Sequence, residues 1–140
     1  MKISKFNQEG YKDTTPYVAL KSIKKEEAQK NYMPLTYVCS PYSGNVKENV
    51  ANARKYSRFT LEKGCIPMTP HLLYPQFMDD DDNAERELSR HINYVLLGNC
   101  DELWVFGNKL SGGMVHEIEI AEKRKLPIRW FDDDMQEVPG

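Results

Sequence analysis

Two short segments combine small, hydroxyl-bearing and acidic residues at a spacing that can do chemistry. The first covers residues 111–117 and reads SGGMVHE, so two glycines precede a carboxylate. Glycines at the start of a helix let a ligand approach the backbone, and helical spacing places Gly113 and Glu117 on one face. Glu117 can then act as a nucleophile or a general base. The alternative is a solvated acid that favours the helix dipole.

The second segment covers residues 40–45 and reads SPYSGN. Its hydroxyls and backbone N–H groups precede a predicted helix, a position that suits anions. It lacks the Gly-Lys-Ser/Thr ending of a Walker A loop, so it is either a phosphate or sugar site or an ordinary strand-to-helix turn. The ring of Tyr42 either stacks on a ligand or lies in the turn. The candidate ligand contacts are Ser40, Pro41, Ser43, Gly44 and Asn45.

The remaining titratable residues do not form a metal frame. The chain has no HxxxH or CxxC spacing, so we expect no metal ion and no other cofactor. The acidic run at residues 79–82 lacks the alternation of a calcium loop and is typical of a solvated lead into a helix. His71 is a further candidate ligand contact, and residues 74–77 either wall a pocket for a base or belong to the core.

Four apolar runs alternate with helical patterns from residue 34 onward. We predict strands at residues 35–39, 65–69, 102–106 and 127–131, and helices at 47–63, 84–98 and 114–125. Gly64 should end the first helix and Asn83 should cap the second. Pro67 predicts either an edge strand or the first position of a strand, because proline cannot donate to a sheet ladder. The acidic tail is predicted to fray.

This alternation indicates a single Rossmann-like α/β domain of three layers at residues 34–140. Right-handed crossovers give a parallel sheet of four to five strands, whose near-continuous apolar runs indicate cover on both faces. Ligands of such sheets bind beyond the carboxyl ends of the strands. That rule brings the two glycine-containing segments to one edge of the sheet.

Composition restricts the function classes. The 140 residues include 19 Lys and Arg against 21 Asp and Glu, a net charge of −2 that argues against a nucleic-acid partner. No run of about 20 apolar residues could span a membrane, and the N-terminus lacks the apolar core of a signal peptide. Three widely spaced cysteines fit buried, reduced thiols, so we expect a cytoplasmic protein.

Residues 1–33 differ from the rest of the chain. They contain seven lysines and four acidic residues. The rest of the chain therefore carries a more negative net charge than the −2 of the whole sequence. The stretch from residue 17 to residue 30 has apolar residues at helical spacing, after a proline suited to the first helical turn. We therefore predict an N-terminal basic arm with a short helix. It either packs on the domain or a neighbouring subunit, or docks a partner.

Three motifs together resemble the nucleoside 2-deoxyribosyltransferase-like superfamily. They are YVCSPYSG at residues 37–44, CDELWVFG at 100–107 and SGGMVHEIEIA at 111–121. The resemblance is to its small bacterial and phage deoxyribosyltransferase-like domains, with the 2′-deoxynucleoside 5′-phosphate N-hydrolases as the nearest functional branch. It covers residues 35–130 and leaves out the arm.

The resemblance implies roles for particular residues. Glu117 would be the nucleophile that attacks the anomeric carbon and displaces the base. Ser111, six positions earlier, matches the serine of the 5′-phosphate hydrolase branch, where the nucleoside transferases have Asp. Tyr42 and Asn45 would lie near the sugar or phosphate. Gly113 and Met114, in the last motif, would also bind the substrate or its phosphate. The family's further carboxylate falls near Asn93 here, and a glycine two after the nucleophile is replaced by Glu119.

The expected function is therefore cleavage or exchange of the N-glycosidic bond of a (deoxy)nucleoside 5′-monophosphate through a glycosyl-glutamate intermediate. The catalytic candidates are Glu117, Asn93 and Tyr42. The partner would be a small nucleotide or nucleoside, and the resemblance implies a homodimer or higher homo-oligomer, because relatives complete the site with a neighbouring subunit. The alternatives are a nucleotide-binding module without turnover, for which Asn93 argues, and an interaction protein that works through its arm.

Overall fold

The computed structural model of the protein describes residues 32–140, so the helix predicted over residues 17–30 lies outside the described residues. Strands and helices alternate along this part of the chain, and two short 3-10 turns, Pro70–Leu72 and Tyr74–Gln76, follow the second strand. The elements are β1 (Leu35–Cys39), α1 (Val46–Glu62), β2 (Ile66–Met68), α2 (Asn83–Gly98), β3 (Glu102–Phe106), α3 (Gly112–Lys123), β4 (Ile128–Phe131) and β5 (Glu137–Val138).

The five strands form one sheet in the order β2-β1-β3-β4-β5. The first four are parallel, with Tyr37 of β1 paired to Met68 on one side and to Leu103 on the other. From β1 the chain first moves outward to β2, then crosses back over to β3. The strand order therefore reverses between β1 and β3, and open α/β sheets bind ligands at the carboxyl ends of the strands at such a point.

Side chains alternate between two cores along the central strands. Tyr37, Cys39, Leu103 and Val105 face α2 and α3, where Leu97, Met114 and Ala121 cover them. Val38, Trp104 and Phe106 face the other way, toward Tyr56 of α1 and Phe131 of β4. The predicted three-layer arrangement is confirmed, because both faces of the sheet are covered. All three cysteines are free and buried, as predicted.

The first helix begins and ends close to its predicted bounds. The Asn45 side chain accepts a hydrogen bond from the Glu48 N–H at 3.2 Å and so caps α1. Gly64 follows the helix with a φ of +86°, a conformation that glycine adopts without strain. Its predicted role at the helix end is confirmed. The prediction that β2 is an edge strand is also confirmed.

The predicted starts of two helices were wrong. Asn83 is the first residue of α2 and not its cap, since the chain turns into the helix at Asp82 without a side-chain capping bond. The last helix begins at Gly112, two residues early, because the Ser111 hydroxyl accepts from the Met114 N–H at 3.3 Å and caps it. Capping bonds of this kind set helix ends more sharply than apolar periodicity does.

The tail is ordered where we predicted fraying. A turn over residues 132–136 is held by the Asp132 carboxylate, which accepts from the N–H groups of Asp134 and Gln136 at 2.9 Å each. The turn returns the chain antiparallel to β4 as β5. The Glu137 carboxylate then accepts two hydrogen bonds from one edge of the Arg129 guanidinium, from Nε at 2.8 Å and from Nη2 at 2.6 Å. None of the helices in this part of the chain is long and apolar enough to cross a bilayer.

Candidate active site

A cavity of about 680 Å³ opens at the carboxyl ends of β1 and β3. Its walls come from the loop after β1, the 3-10 turns after β2, one face of α2 and the first turns of α3. Nine of the predicted site residues line this cavity: Ser40, Tyr42, Ser43, His71, Asn93, Ser111, Gly113, Met114 and Glu117. The structure therefore brings the segments at residues 40–45 and 111–117 to the edge that the parallel-strand rule selects.

Glu117 lies in the second turn of α3 and is only 7% exposed, so it is not a solvated first-turn acid. Burial raises the pKa of its carboxyl to about 7. The nearby Tyr37 hydroxyl lowers that pKa in part, since it favours the ionised form, although the two groups do not form a regular hydrogen bond. Among residues 32–140, no Lys or Arg forms an ion pair with Glu117.

The other groups beside Glu117 stay neutral. Burial raises the pKa values of Tyr37 and Cys39 well above their usual ranges, and the nearby Glu117 raises both further. The Cys39 Sγ lies 4.0 Å from one carboxylate oxygen, and the other oxygen, Oε2, has no hydrogen-bond partner within the described chain. A carboxylate with so little solvation is reactive toward an electrophile or a proton, and an incoming ligand can satisfy it.

The start of α3 presents unused backbone donors beside this carboxylate. Gly112 and Gly113 are the first two residues of the helix, where N–H groups have no partner within the helix. A Cβ added at either glycine would meet no other atom within 4 Å, so the space in front of them is open. With the Ser111 hydroxyl at the helix cap, this end of α3 is suited to an anionic group.

The loop after β1 splits the predicted contacts into two sets. Ser40 is 1% exposed and its Oγ has no hydrogen-bond partner in the described part of the chain, and Tyr42 and Ser43 line the cavity with it. Asn45 instead serves α1, since its side chain binds Glu48 through both the backbone N–H and the carboxylate. Pro41 lines a separate recess on the other side of the loop.

Gly44 is also absent from the cavity wall, and the reason is local. It adopts a φ of +100°, which lets the loop turn sharply into α1, and a Cβ placed there would contact nothing within 4 Å. Its predicted role as a ligand contact can therefore come only from its backbone. Asn45 and Pro41 have no equivalent access to the cavity.

His71 packs against Tyr42, with ring centroids 5.1 Å apart and planes tilted by 48°. Burial lowers the pKa of its imidazole, while the more distant Asp80 raises it in part, so the ring is neutral near pH 7. Its Nδ1 is buried without a partner among the described residues. Tyr42 and His71 together form an aromatic wall, and the His71 Nδ1 is available to form a hydrogen bond with a ligand. Tyr74 and Pro75 extend this wall, whereas Phe77 does not line the cavity and is 63% exposed.

The wall formed by α2 includes residues that the sequence analysis missed. Arg86, Ser89 and Arg90 line the cavity with Asn93, at the spacing of one helical face. That spacing was visible in the sequence once Asn93 was assigned to the site, and it would have identified them. The Arg86 guanidinium donates to the Asp80 carbonyl at 3.1 and 3.0 Å, whereas no contact of the Arg90 guanidinium with residues 32–140 is observed.

Two further observations concern residues with metal-binding side chains. His116 is exposed and lies at the rim of the cavity, one residue before the buried Glu117. Within residues 32–140, no group of three or more His, Cys, Asp or Glu side chains converges as a metal site requires. The groups that line this cavity are a buried carboxylate, aromatic rings, hydroxyls, backbone amides and the two guanidinium groups of Arg86 and Arg90.

The sheet order and the helices on both faces give an α/β fold of the deoxyribosyltransferase-like kind. A solved structure of a 2-deoxyribosyltransferase from the psychrotolerant bacterium Bacillus psychrosaccharolyticus is similar to it, with a TM-score of 0.60 and 14% identity over 75% of this chain and 76% of that one. At this identity the likeness shows the fold, and the fold expected from the sequence resemblance is confirmed. The 5′-phosphate hydrolase branch stays a prediction.

The chain belongs to the family described as "Domain of unknown function (DUF7768)", whose model matches residues 34–131. The match begins just before β1 and ends with β4, so it contains every element that lines the cavity. No curated protein matches the sequence significantly.

Proposed function

We propose that the protein breaks the N-glycosidic bond of a (deoxy)nucleoside 5′-monophosphate, with Glu117 as the nucleophile. The observation that carries the proposal is the buried carboxylate of Glu117, which has an oxygen without a partner and lies on a cavity lined by hydroxyls and helix-start amides. Proteins rarely bury a polar atom without a partner unless a ligand or water supplies one.

The first chemical step is a displacement at the anomeric carbon. One carboxylate oxygen of Glu117 bonds to C1′ as the bond from C1′ to the base nitrogen breaks, and the electron pair leaves with the base. The transition state is oxocarbenium-like, as in retaining glycosidases. Tyr37 and Cys39 keep the carboxylate in a site of low polarity, where desolvation makes it more nucleophilic.

The second step releases the sugar. Water, or a second base, attacks C1′ from the face the first base left, and the bond to Glu117 breaks with its electron pair returning to the carboxylate. Whether water or a second base attacks, the proton that it loses passes to the departed base or to solvent. Asn93 can donate a hydrogen bond to the base but cannot supply a proton. Hydrogen bonds and electrostatic interactions, rather than protonation by Asn93, must therefore stabilise the departing base.

The phosphate of the substrate would lie at the start of α3 and against the loop after β1. Ser111, Ser40 and Ser43 supply hydroxyls there, and Gly112 and Gly113 supply N–H groups. Tyr42 and His71 form the wall beside the sugar and base. The proposal follows the resemblance seen in the sequence and is supported by the deoxyribosyltransferase-like fold.

The test is base release from deoxynucleoside monophosphates, measured by chromatography. Glu117→Gln should lose about 1,000-fold or more of the activity, as expected when a nucleophile is removed. Glu119→Gln is the matched control, because Glu119 lies on the same helix but is exposed. Equal activity in the two variants would reject Glu117 as the nucleophile.

A second candidate function is nucleotide binding without turnover. It is favoured by Asn93, an amide on the cavity wall where an acid could protonate the base. In that case wild type and Glu117→Gln would bind nucleotide equally and neither would release base. Calorimetry with a deoxynucleoside monophosphate, run beside the base-release assay, separates the two functions.

A further inference from the structure

Asn49 lies in the first turn of α1, behind the loop that lines the cavity. Its side-chain amide donates two hydrogen bonds, to the Tyr42 carbonyl at 2.9 Å and to the Ser43 carbonyl at 3.0 Å. Asn49 lines the recess on the far side of this loop, whereas Tyr42 and Ser43 line the cavity that holds Glu117. One amide group therefore fixes two successive peptide planes from outside the site.

The direction of those planes has a consequence for the cavity. In a trans peptide the carbonyl and the following N–H point in opposite directions. Because the Tyr42 and Ser43 carbonyls point toward Asn49, the N–H groups of Ser43 and Gly44 point away from it and from the recess that it lines. No bond from either N–H to an acceptor within residues 32–140 is observed. Consecutive free N–H groups at a left-handed residue, here Gly44 with φ +100°, form an anion-binding concavity.

A separate observation points to a ligand at the same place. The Ser40 hydroxyl is 1% exposed, lines the cavity and has no hydrogen-bond partner in the described residues. A buried hydroxyl without a partner needs an acceptor or donor from a ligand or water. Ser43 lines the same cavity, so the hydroxyls of Ser40 and Ser43 both belong to its wall.

We propose that Asn49 is a positioning residue, which turns the Ser43 and Gly44 N–H groups toward the cavity so that they hold the phosphate of a nucleoside 5′-monophosphate. The proposal deepens the proposed function and rests on it for the identity of the substrate. Asn49 itself does not touch the substrate, and its effect passes through the two peptide planes.

The kinetic test compares a nucleoside 5′-monophosphate with the nucleoside of the same base. Asn49→Ala should raise the KM for the monophosphate by about tenfold or more, as expected when charge-assisted hydrogen bonds are lost. The kcat and the KM for the nucleoside should stay within about threefold. Asn49→Asp, which has the same shape but cannot donate, should be at least as impaired. Equal losses on both substrates would overturn the proposal.

Asn52→Asp is the matched control for charge. Asn52 lies one turn further along α1 and lines the same recess, and no bond from its side chain to the loop is observed. It should leave the KM for the monophosphate within about twofold of wild type. If Asn52→Asp is impaired as much as Asn49→Asp, the effect is one of charge and the positioning role is rejected.

A binding test does not depend on turnover. Inorganic phosphate is titrated into the isotope-labelled wild-type protein, and the amide resonances are followed by NMR. The Ser43 and Gly44 amide signals should move with phosphate, and should not move in Asn49→Ala at the same concentrations. Signals that stay fixed in the wild type overturn the proposal. Phosphate-dependent shifts without any base release would instead reject the proposed reaction and leave the role of Asn49 standing.

Discussion

The two faces of the sheet satisfy their buried groups in different ways. On the face covered by α1, Phe106 stacks on Tyr56 and Phe131 with ring centroids 4.5 and 4.9 Å apart. Buried side-chain atoms that lack partners in the described chain lie elsewhere: Tyr37 Oη and Glu117 Oε2 are on the face covered by α2 and α3, and Ser40 Oγ and His71 Nδ1 are in the loops that border the cavity. One face is closed by apolar packing, and the other is left incomplete around a cavity.

This difference indicates that the face covered by α1 contributes mainly to stability, whereas the face beside the cavity is suited to a ligand. A dry aromatic core gains from close packing, so truncation there removes contacts and opens a void. Buried polar atoms without partners cost free energy in the empty protein, and a ligand can recover that cost on binding. The cavity face should therefore tolerate, or even gain from, changes that destroy its function.

The largest effect on stability is expected on the aromatic face. Phe106→Ala should lower the free energy of unfolding by about 3–5 kcal/mol, because a fully buried ring is replaced by a void. Urea denaturation followed by circular dichroism measures this loss. A change below about 1 kcal/mol would mean that this face does not carry the stability assigned to it.

Replacing Glu117 is expected to change the free energy of unfolding by a smaller amount and in the opposite direction. Its pKa is about 7 in the folded protein and near the ordinary carboxyl value in the unfolded chain, so the folded state binds more protons between these values. The free energy of unfolding therefore falls as pH rises from about 4.5 to about 7. Glu117→Gln removes this loss and should be up to about 3 kcal/mol more stable than wild type at pH 8, and nearly equal to it at pH 4.

Thermal unfolding of both proteins across this pH range checks the prediction. Glu119→Gln serves as the control, because an exposed carboxylate on the same helix should shift stability by less than about 0.5 kcal/mol. If Glu117→Gln is less stable than wild type at pH 8, the carboxylate is satisfied within the folded protein and the contrast between the faces is wrong.

The same pKa sets a pH dependence for activity. The attacking group must be ionised, so kcat/KM for a deoxynucleoside monophosphate should rise about tenfold per pH unit below about 7 and level off above it. Initial rates at low substrate concentration measure the profile of the free enzyme. A profile that is flat between pH 5 and 8 would contradict a nucleophile with this burial.

The smallest effect on stability is expected at Ser40. Ser40→Ala removes a buried hydroxyl without a partner, so the free energy of unfolding should stay within about 1 kcal/mol of wild type or increase. Nucleotide affinity, measured by calorimetry, should fall by about three- to tenfold. A clear loss of stability with unchanged affinity would place Ser40 with the structural core.

The sequence was informative where a residue's neighbours in the chain decide its place. Strands β1 and β3 begin and end where predicted, because continuous apolar runs between turn residues mark strands covered on both faces. The parallel-strand rule then placed Ser40 and Glu117 at one edge of the sheet, and both line the cavity.

The sequence did not predict which partner a polar side chain contacts when more than one is within reach. Asn45 was expected to face a ligand, but it binds Glu48 three residues later, and Asn49 instead reaches back to the loop. The predicted frayed tail forms β5, because Arg129 and Glu137 pair across a turn. Such choices depend on the turn geometry and on contacts between distant elements, which residue types and spacing do not show.

The most direct test of Glu117 as the nucleophile is mass spectrometry of the protein, quenched in acid during turnover of a deoxynucleoside monophosphate. A covalent step predicts a deoxyribose-phosphate adduct on the peptide that contains Glu117, present in the wild type and absent from Glu117→Gln. Base release that continues without any adduct, and at the same rate in Glu117→Gln, would contradict it.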